Sequence, residues 1–178
     1  WSEIEKVTLA FGYGLTATPL QLAQSYAVFA NQGRRVPLTL LKREAGARLP
    51  GEPVISEEIA QQVLTVLHRV TGSEGTASKA RVPGFSVGGK TGTVHKVGPS
   101  GYLPDQYLAL FVGVAPMDNP RYVTAVVVDQ PKGDSYGGGA AAAPVYARIT
   151  DGVLRLRNQR PEVEGDMPAQ LASLEVGR

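Results

Sequence analysis

Apolar residues recur at helical spacing in three stretches of the chain. Thr18, Pro19 and Gln21 stand in capping-box register ahead of Leu22, Tyr26, Phe29 and Ala30, which predicts a helix that Gly33 stops. Ser56, with Glu57 and Glu58 set against the helix dipole, opens a second helix. It carries Ile59, Val63, Val66, Leu67 and Val70 and ends near His68, Arg69 and Gly72. The last helix is predicted from about Ala141 to Arg157, burying Val145, Ile149 and Val153, ending basic at Arg155 and Arg157, and broken by Asn158 and Pro161.

Between the second and last helices lie three strand-like runs: Phe85 to Val94, Tyr107 to Ala115 and Tyr122 to Asp129. Stretches rich in Gly, Pro and Asp separate them, and the last two are expected to pair as a hairpin. Leu108 to Val114 and Val123 to Val128 are almost continuously apolar rather than alternating, so both faces of their sheet should be covered. The expected fold class is therefore α/β, a layered α+β sandwich with an antiparallel sheet covered by helices on both faces. Residues 1–158 read as the domain, and 159–178 as a polar, proline-bearing tail in which Met167, Leu171 and Leu174 make a weak amphipathic turn or two.

Composition narrows the function classes. With 178 residues, 43% hydrophobic and 19% charged, the chain is long enough for one domain with a core. Its 18 basic and 16 acidic residues give a net charge of +2 with no basic stripe, so nucleic acid is not an expected partner. Cysteine is absent, which removes disulfides, thiolate metal sites and cysteine nucleophiles, and no cofactor is expected. No stretch approaches the roughly 20 apolar residues that span a bilayer, and the first residues do not resemble a signal peptide. The chain does not begin with methionine and reads as a fragment, with any export signal or anchor outside it.

Chemistry concentrates around Lys90. The segment Gly84-Phe-Ser-Val-Gly-Gly89-Lys90-Thr91 matches the P-loop pattern, and Ala125 to Asp129 imitates the strand that supplies a magnesium-binding carboxylate. A phosphate-cradling loop, however, needs a buried strand before its first glycine and a helix directly after its lysine. Upstream, residues 75–83 are polar and end in proline; downstream, residues 91–99 are β-branched and glycine-rich, poor material for a helix. Lys90 is thus placed on a strand. The plainest alternative is a glycine-rich strand at a sheet edge with no chemistry at all.

A strand bearing lysine, hydroxyl, glycine and hydroxyl in that order can hold an anionic peptide terminus. Lys90 offers positive charge and Thr91 a hydroxyl, while Gly92 lets a second backbone lie close as an added strand. The Thr93 N–H could then donate to a polarised carbonyl oxygen, a role worth about 3 kcal/mol where such donors have been removed.

Lys90-Thr91-Gly92-Thr93 resembles the Lys-Thr-Gly motif of penicillin-binding proteins and serine β-lactamases. The resemblance runs from Phe11 to Arg157 and is specific to class B transpeptidases, most of all the division-specific septal enzyme. It is carried by residues 11–27, by Asn31 to Pro37, by Gly72 to Ala77, by the Lys90 strand, by Phe111 to Pro116, by Pro120-Arg-Tyr122, and by Gly138 to Tyr146. It implies D,D-transpeptidation of a peptidoglycan stem peptide, inhibition by β-lactams, a periplasmic position at the bacterial inner membrane, and divisome partners including a glycosyltransferase. By the same resemblance Lys90 and Thr91 bind the terminal carboxylate, Thr93 supplies an oxyanion N–H, and Val94 and His95 continue the rim. Tyr136, before Gly137, falls where the family has an aromatic wall, with a buried structural tyrosine as the other reading. His95 is a rim residue rather than a base, His68 is explained by its helix dipole, and Asp129 by a strand-end turn.

The pattern departs from the family in one respect: neither Ser-x-x-Lys nor Ser-x-Asn occurs in the 178 residues. Thr39-Leu-Leu-Lys42 and Thr76-Ala-Ser-Lys79 put threonine where the family has serine, and neither lies at a helix start ahead of the second motif. The chain is expected to hold half of an oxyanion hole and to be inactive alone, with the N-terminal half of the domain as its partner. A non-catalytic peptide-binding module of the same fold is the competing explanation.

Overall fold

A computed structural model describes residues 2–10, 12, 14–44, 51–133 and 135–161. Helix α1, Glu3–Ala10, comes first and buries no residue. Helix α2, Pro19–Ala30, starts on the predicted capping box: Thr18 accepts from the Gln21 N–H while the Gln21 side chain accepts from the Thr18 N–H. A two-residue ribbon pairs β1, Arg34–Arg35, with β2, Glu52–Pro53. Helix α3, Glu57–Arg69, is capped by Ser56, whose side chain accepts from the Ile59 N–H. A 3₁₀ turn at Ser78–Ala80 leads into the main sheet.

That sheet has three antiparallel strands in the order β3, Gly88–Gly98, then β4, Gly101–Ala115, then β5, Tyr122–Asp129. The predicted hairpin is β4 with β5, in register from Ala115 opposite Tyr122 to Leu108 opposite Asp129. The first two strands run longer than predicted: β3 and β4 extend past Val94 and back before Tyr107 as a long arm, with a bulge between His95 and Val97. Their polar and glycine-rich outer halves carry no core pattern from which the extension could be read.

Alternation along β4 sorts the core into two layers. Ala109, Phe111 and Ala115 face a cluster with Val126, Ala142, Ala143, Tyr146 and Leu154, together with Ala77, Ala80, Val82, Phe85 and Val87 from the segment before β3. Val114 faces Leu64 and Met117, with Tyr26, Phe29, Ala30 and Val123 against them. One face of the sheet therefore lies under the closing helices and the other under α2 and α3, the covered sandwich that the apolar runs required.

The closing helix is broken in two: α4, Gly138–Ala141, and α5, Ala143–Leu156. The expected buried face of Val145, Ile149 and Val153 is wrong. Ala143, Tyr146, Thr150 and Leu154 are buried instead, while Val145 and Ile149 stay exposed, Ile149 at 45%. The reason is a fit between ring and glycine. A β-carbon on Gly113 would stand 2.5 Å from the Tyr146 ring, so only glycine there admits the ring against β4, and the Tyr146 hydroxyl donates to the Val114 carbonyl at 3.3 Å. Likewise α3 buries Ala60, Leu64, Thr65 and Leu67, leaving Ile59 and Val66 exposed, Val66 at 62%. Beyond α5, Gln159 donates its N–H back to Leu154, and Pro161 lies against Gly84. Residues 162–178 of the expected tail fall outside the described residues.

Candidate substrate-binding site

The Lys90 run lies near the start of β3, with Lys90 opposite Val112, Thr91 opposite Phe111, Gly92 opposite Leu110 and Thr93 opposite Ala109. Because the strand continues to Gly98, no helix follows the lysine and the phosphate-loop geometry is absent. Among the described residues, β3 pairs only with β4 and leaves its other edge open. Asp129, the last residue of β5, forms an ion pair with Lys96 at 2.8 Å.

Side chains from α3 and the turn after it anchor the entrance to the strand. The Val87 carbonyl accepts from the Thr71 hydroxyl at 2.7 Å and from His68 Nδ1 at 3.0 Å, so Nδ1 carries the proton. His68 thus has a tertiary partner as well as its place in the last helical turn. Gly88 and Gly89 follow because there is no room for more. A β-carbon would stand 2.9 Å from the His68 backbone nitrogen at the first and 2.5 Å from the Phe111 ring at the second.

Lys90 is exposed, its ammonium donating to the Thr91 carbonyl at 2.9 Å. The Thr91 hydroxyl lies 3.3 Å from that of Thr76. The Thr93 hydroxyl accepts from the Gly138 N–H at 3.2 Å. Gly137 is the N-cap of α4, and an added β-carbon there would stand 3.8 Å from the Thr93 hydroxyl. Gly138 is buried against the strand itself: its β-carbon would collide with the carbonyl oxygens of Leu110 and Gly92 and come within 3.0 Å of the Gly92 nitrogen. The backbone that lies close over Gly92 in this structure is thus that of α4.

Beyond Thr93, Val94 is exposed and His95 is half-buried in a column of four rings. His95 stacks on Tyr102 with centroids 5.0 Å apart and on Tyr107 at 4.6 Å, and Tyr107 stacks on Tyr136 at 4.0 Å. His95 Nε2 donates to the Leu103 carbonyl at 2.8 Å, which sets the ring's orientation. Desolvation, and after it the neighbouring Tyr136, push the Tyr107 phenol above the ordinary tyrosine range. Tyr136 itself is 49% exposed, at the rim rather than in the core. The structure therefore brings Lys90, Thr91, Gly92, Thr93, Val94, His95, Tyr136 and Gly137 into one neighbourhood along β3 and the start of α4.

Sequence reasoning missed Thr76 as a neighbour of Thr91, and Tyr102 and Tyr107 as members of the column. Thr76 stands in the sequence only within the Gly72 to Ala77 match and as a rejected nucleophile, and nothing in the spacing of the two tyrosines marks them.

The transpeptidase domain of penicillin-binding proteins matches residues 1–151. The chain belongs to that family. It is 42% identical over 162 residues to the peptidoglycan D,D-transpeptidase FtsI of Escherichia coli K12, covering 91% of this chain and 27% of that protein. It is 36% identical over 161 residues to the probable peptidoglycan D,D-transpeptidase PenA of Neisseria flavescens, covering 90% and 40%. Among solved structures, the apo transpeptidase domain of Burkholderia pseudomallei penicillin-binding protein 3 superposes with a TM-score of 0.84 at 40% identity, over 94% of this chain and 50% of that one. The chain thus spans about a quarter of the E. coli relative and half of the solved domain.

Proposed function

We propose that this chain is the substrate-holding half of a peptidoglycan D,D-transpeptidase that cross-links cell wall at the division septum, on the periplasmic face of the inner membrane. The observation that carries the reading is the open-edged β3 strand, which presents Lys90, Thr91 and Thr93 together beside the glycine turn of α4. Its relatives' names support the same reaction class.

In this reading a stem peptide lies along the open edge of β3 as an added strand. Lys90, Thr91 and Thr93 hold its terminal carboxylate, charge by ammonium and direction by the two hydroxyls. The nucleophilic serine comes from the N-terminal half of the domain. Its oxygen bonds to the penultimate D-alanine carbonyl carbon, the C–N bond to the terminal D-alanine breaks, and the leaving nitrogen takes the serine's proton. An amine on a neighbouring stem then displaces the ester, and a proton returns to serine. The Thr93 N–H donates to the carbonyl oxygen as negative charge builds on it, and the serine's own N–H completes the pair. β-Lactams enter the same site as carboxylate-bearing acyl donors, with Val94, His95, Tyr136 and Gly137 as the rim that meets their side chains. Divisome proteins, including a glycosyltransferase that supplies glycan strands, are the expected partners. Among the described residues no helix is long and apolar enough to cross a membrane.

Labelling with a fluorescent penicillin, read beside intact mass under denaturing conditions, tests the proposal. The full-length protein should gain one penicilloyl adduct and the 178-residue chain alone none. Acylation of the 18.8 kDa chain by itself would refute the assignment of the serine to the other half.

A further inference from the structure

Both hydroxyls of the Lys90 run have a polar group behind them. The Gly138 N–H donates to the Thr93 hydroxyl, which leaves that hydroxyl's own proton free to point away from α4. Thr76 approaches Thr91 in the corresponding way, its hydroxyl 3.3 Å from the other. The position of Thr76 is enforced by backbone rather than by side-chain chance. A β-carbon on Gly75 would collide with the Val70 carbonyl and stand 2.6 Å from that of Arg69, so the chain turns tightly there against the end of α3. Ala77 is buried and donates its N–H to Val70 at 3.0 Å. On the other side the Thr76 carbonyl packs on Gly139, where a β-carbon could not fit. Thr91 is caught between the same two elements, its methyl toward Gly139 and its hydroxyl toward Thr76.

We propose that Thr76 is a positioning residue for substrate: its hydroxyl donates to Thr91, fixes the Thr91 side-chain torsion, and commits the Thr91 proton to the terminal carboxylate. A threonine hydroxyl has one proton and two lone pairs, so an unbacked Thr91 could turn its proton to water or to a nearby carbonyl. An acceptor that already receives a hydrogen bond is also the stronger donor, and an anion rewards that most. Thr76 itself does not touch the substrate. This inference rests on the carboxylate-holding role proposed for Thr91.

The test uses the full-length protein and measures second-order acylation by benzylpenicillin and by its methyl ester, which lacks the anion. Thr76→Val should slow the acid by about fivefold, the scale of one ordinary hydrogen bond, and leave the ester within about twofold. Thr76→Ser should restore the acid rate, and adding Thr76→Val to Thr91→Val should cost nothing further. A Thr76→Val protein that matches the parent on the acid, or that slows acid and ester alike, overturns the inference; Thr76→Ala repeats the measurement should valine prevent folding. If Thr91→Val itself does not separate acid from ester, the carboxylate role of Thr91 has failed and the inference falls with it.

Discussion

Replacing Gly138 with alanine should disable the site from a position that touches no substrate. A β-carbon there collides with the Leu110 and Gly92 carbonyl oxygens, the latter at 2.5 Å, where a carbon and an oxygen ordinarily rest at roughly 3.3–3.6 Å. Relief demands a shift of about 1 Å between α4 and β3, and both obstructing atoms are backbone, so no rotamer change can absorb it. Overpacking of this kind costs about 3 kcal/mol, the upper part of the usual range, because the obstruction is main chain on both sides. The same shift withdraws the Gly138 N–H from Thr93 and, under the proposed function, moves the Thr93 N–H off the carbonyl oxygen. A displacement of about 1 Å at a reacting centre costs roughly 100-fold in rate. Acylation by a fluorescent penicillin and thermal melting, both on the full-length protein, read the two effects separately. Gly152→Ala supplies the control: a β-carbon at that exposed position on α5 meets nothing within 4 Å, and the change should stabilise by about 0.5–1 kcal/mol. A Gly138→Ala protein that acylates within about threefold of the parent and melts with it would refute the argument from contact.

Two further outcomes follow from buried or capping groups. Burial pushes the Tyr146 phenol well above the ordinary tyrosine range, with the Thr150 hydroxyl opposing. The native state therefore keeps that proton longer than the unfolded chain does: the stabilisation is complete below about pH 10 and is lost as pH rises beyond it. Tyr146→Phe should melt with a shallower decline from pH 9.5 to 11, as rough bounds, and equal slopes in the two proteins would contradict this. Thr18→Ala should remove the α2 cap and lower the denaturation midpoint by the equivalent of about 1 kcal/mol at unchanged slope, with Thr18→Ser close to the parent; an unshifted midpoint in the alanine protein would show that the cap contributes nothing.

The elements legible in the sequence were those specified by local rules. Thr18 and Ser56 cap the helices they were expected to cap, and β5 has its predicted limits, because capping chemistry and a continuous apolar run need no knowledge of the rest of the chain. The face of α5 was not legible. Two apolar stripes share that helix, and the choice between them was made by Gly113 on a distant strand. Helix α1 went unforeseen because it buries nothing and so carries no periodic signature to find. At the site, Lys90 to Thr93 could be read as text, and the strand context correctly displaced the phosphate loop. What stands behind the two hydroxyls could not be read, since Gly138 lies 45 residues from Thr93 and Thr76 lies 15 from Thr91. Contacts of that kind are products of topology and leave no local pattern.

The seating of Tyr146 over Gly113 also bears on how this family can change. A ring that occupies the volume of an absent β-carbon ties two positions into one heritable choice. Alanine at 113 is tolerable only in a lineage whose residue 146 has already given up its ring, and a small residue at 146 leaves a void that a side chain at 113 can refill. Relatives that depart from glycine at 113 should therefore depart from an aromatic residue at 146 as well, with the shrinking substitution the first of the two to be fixed.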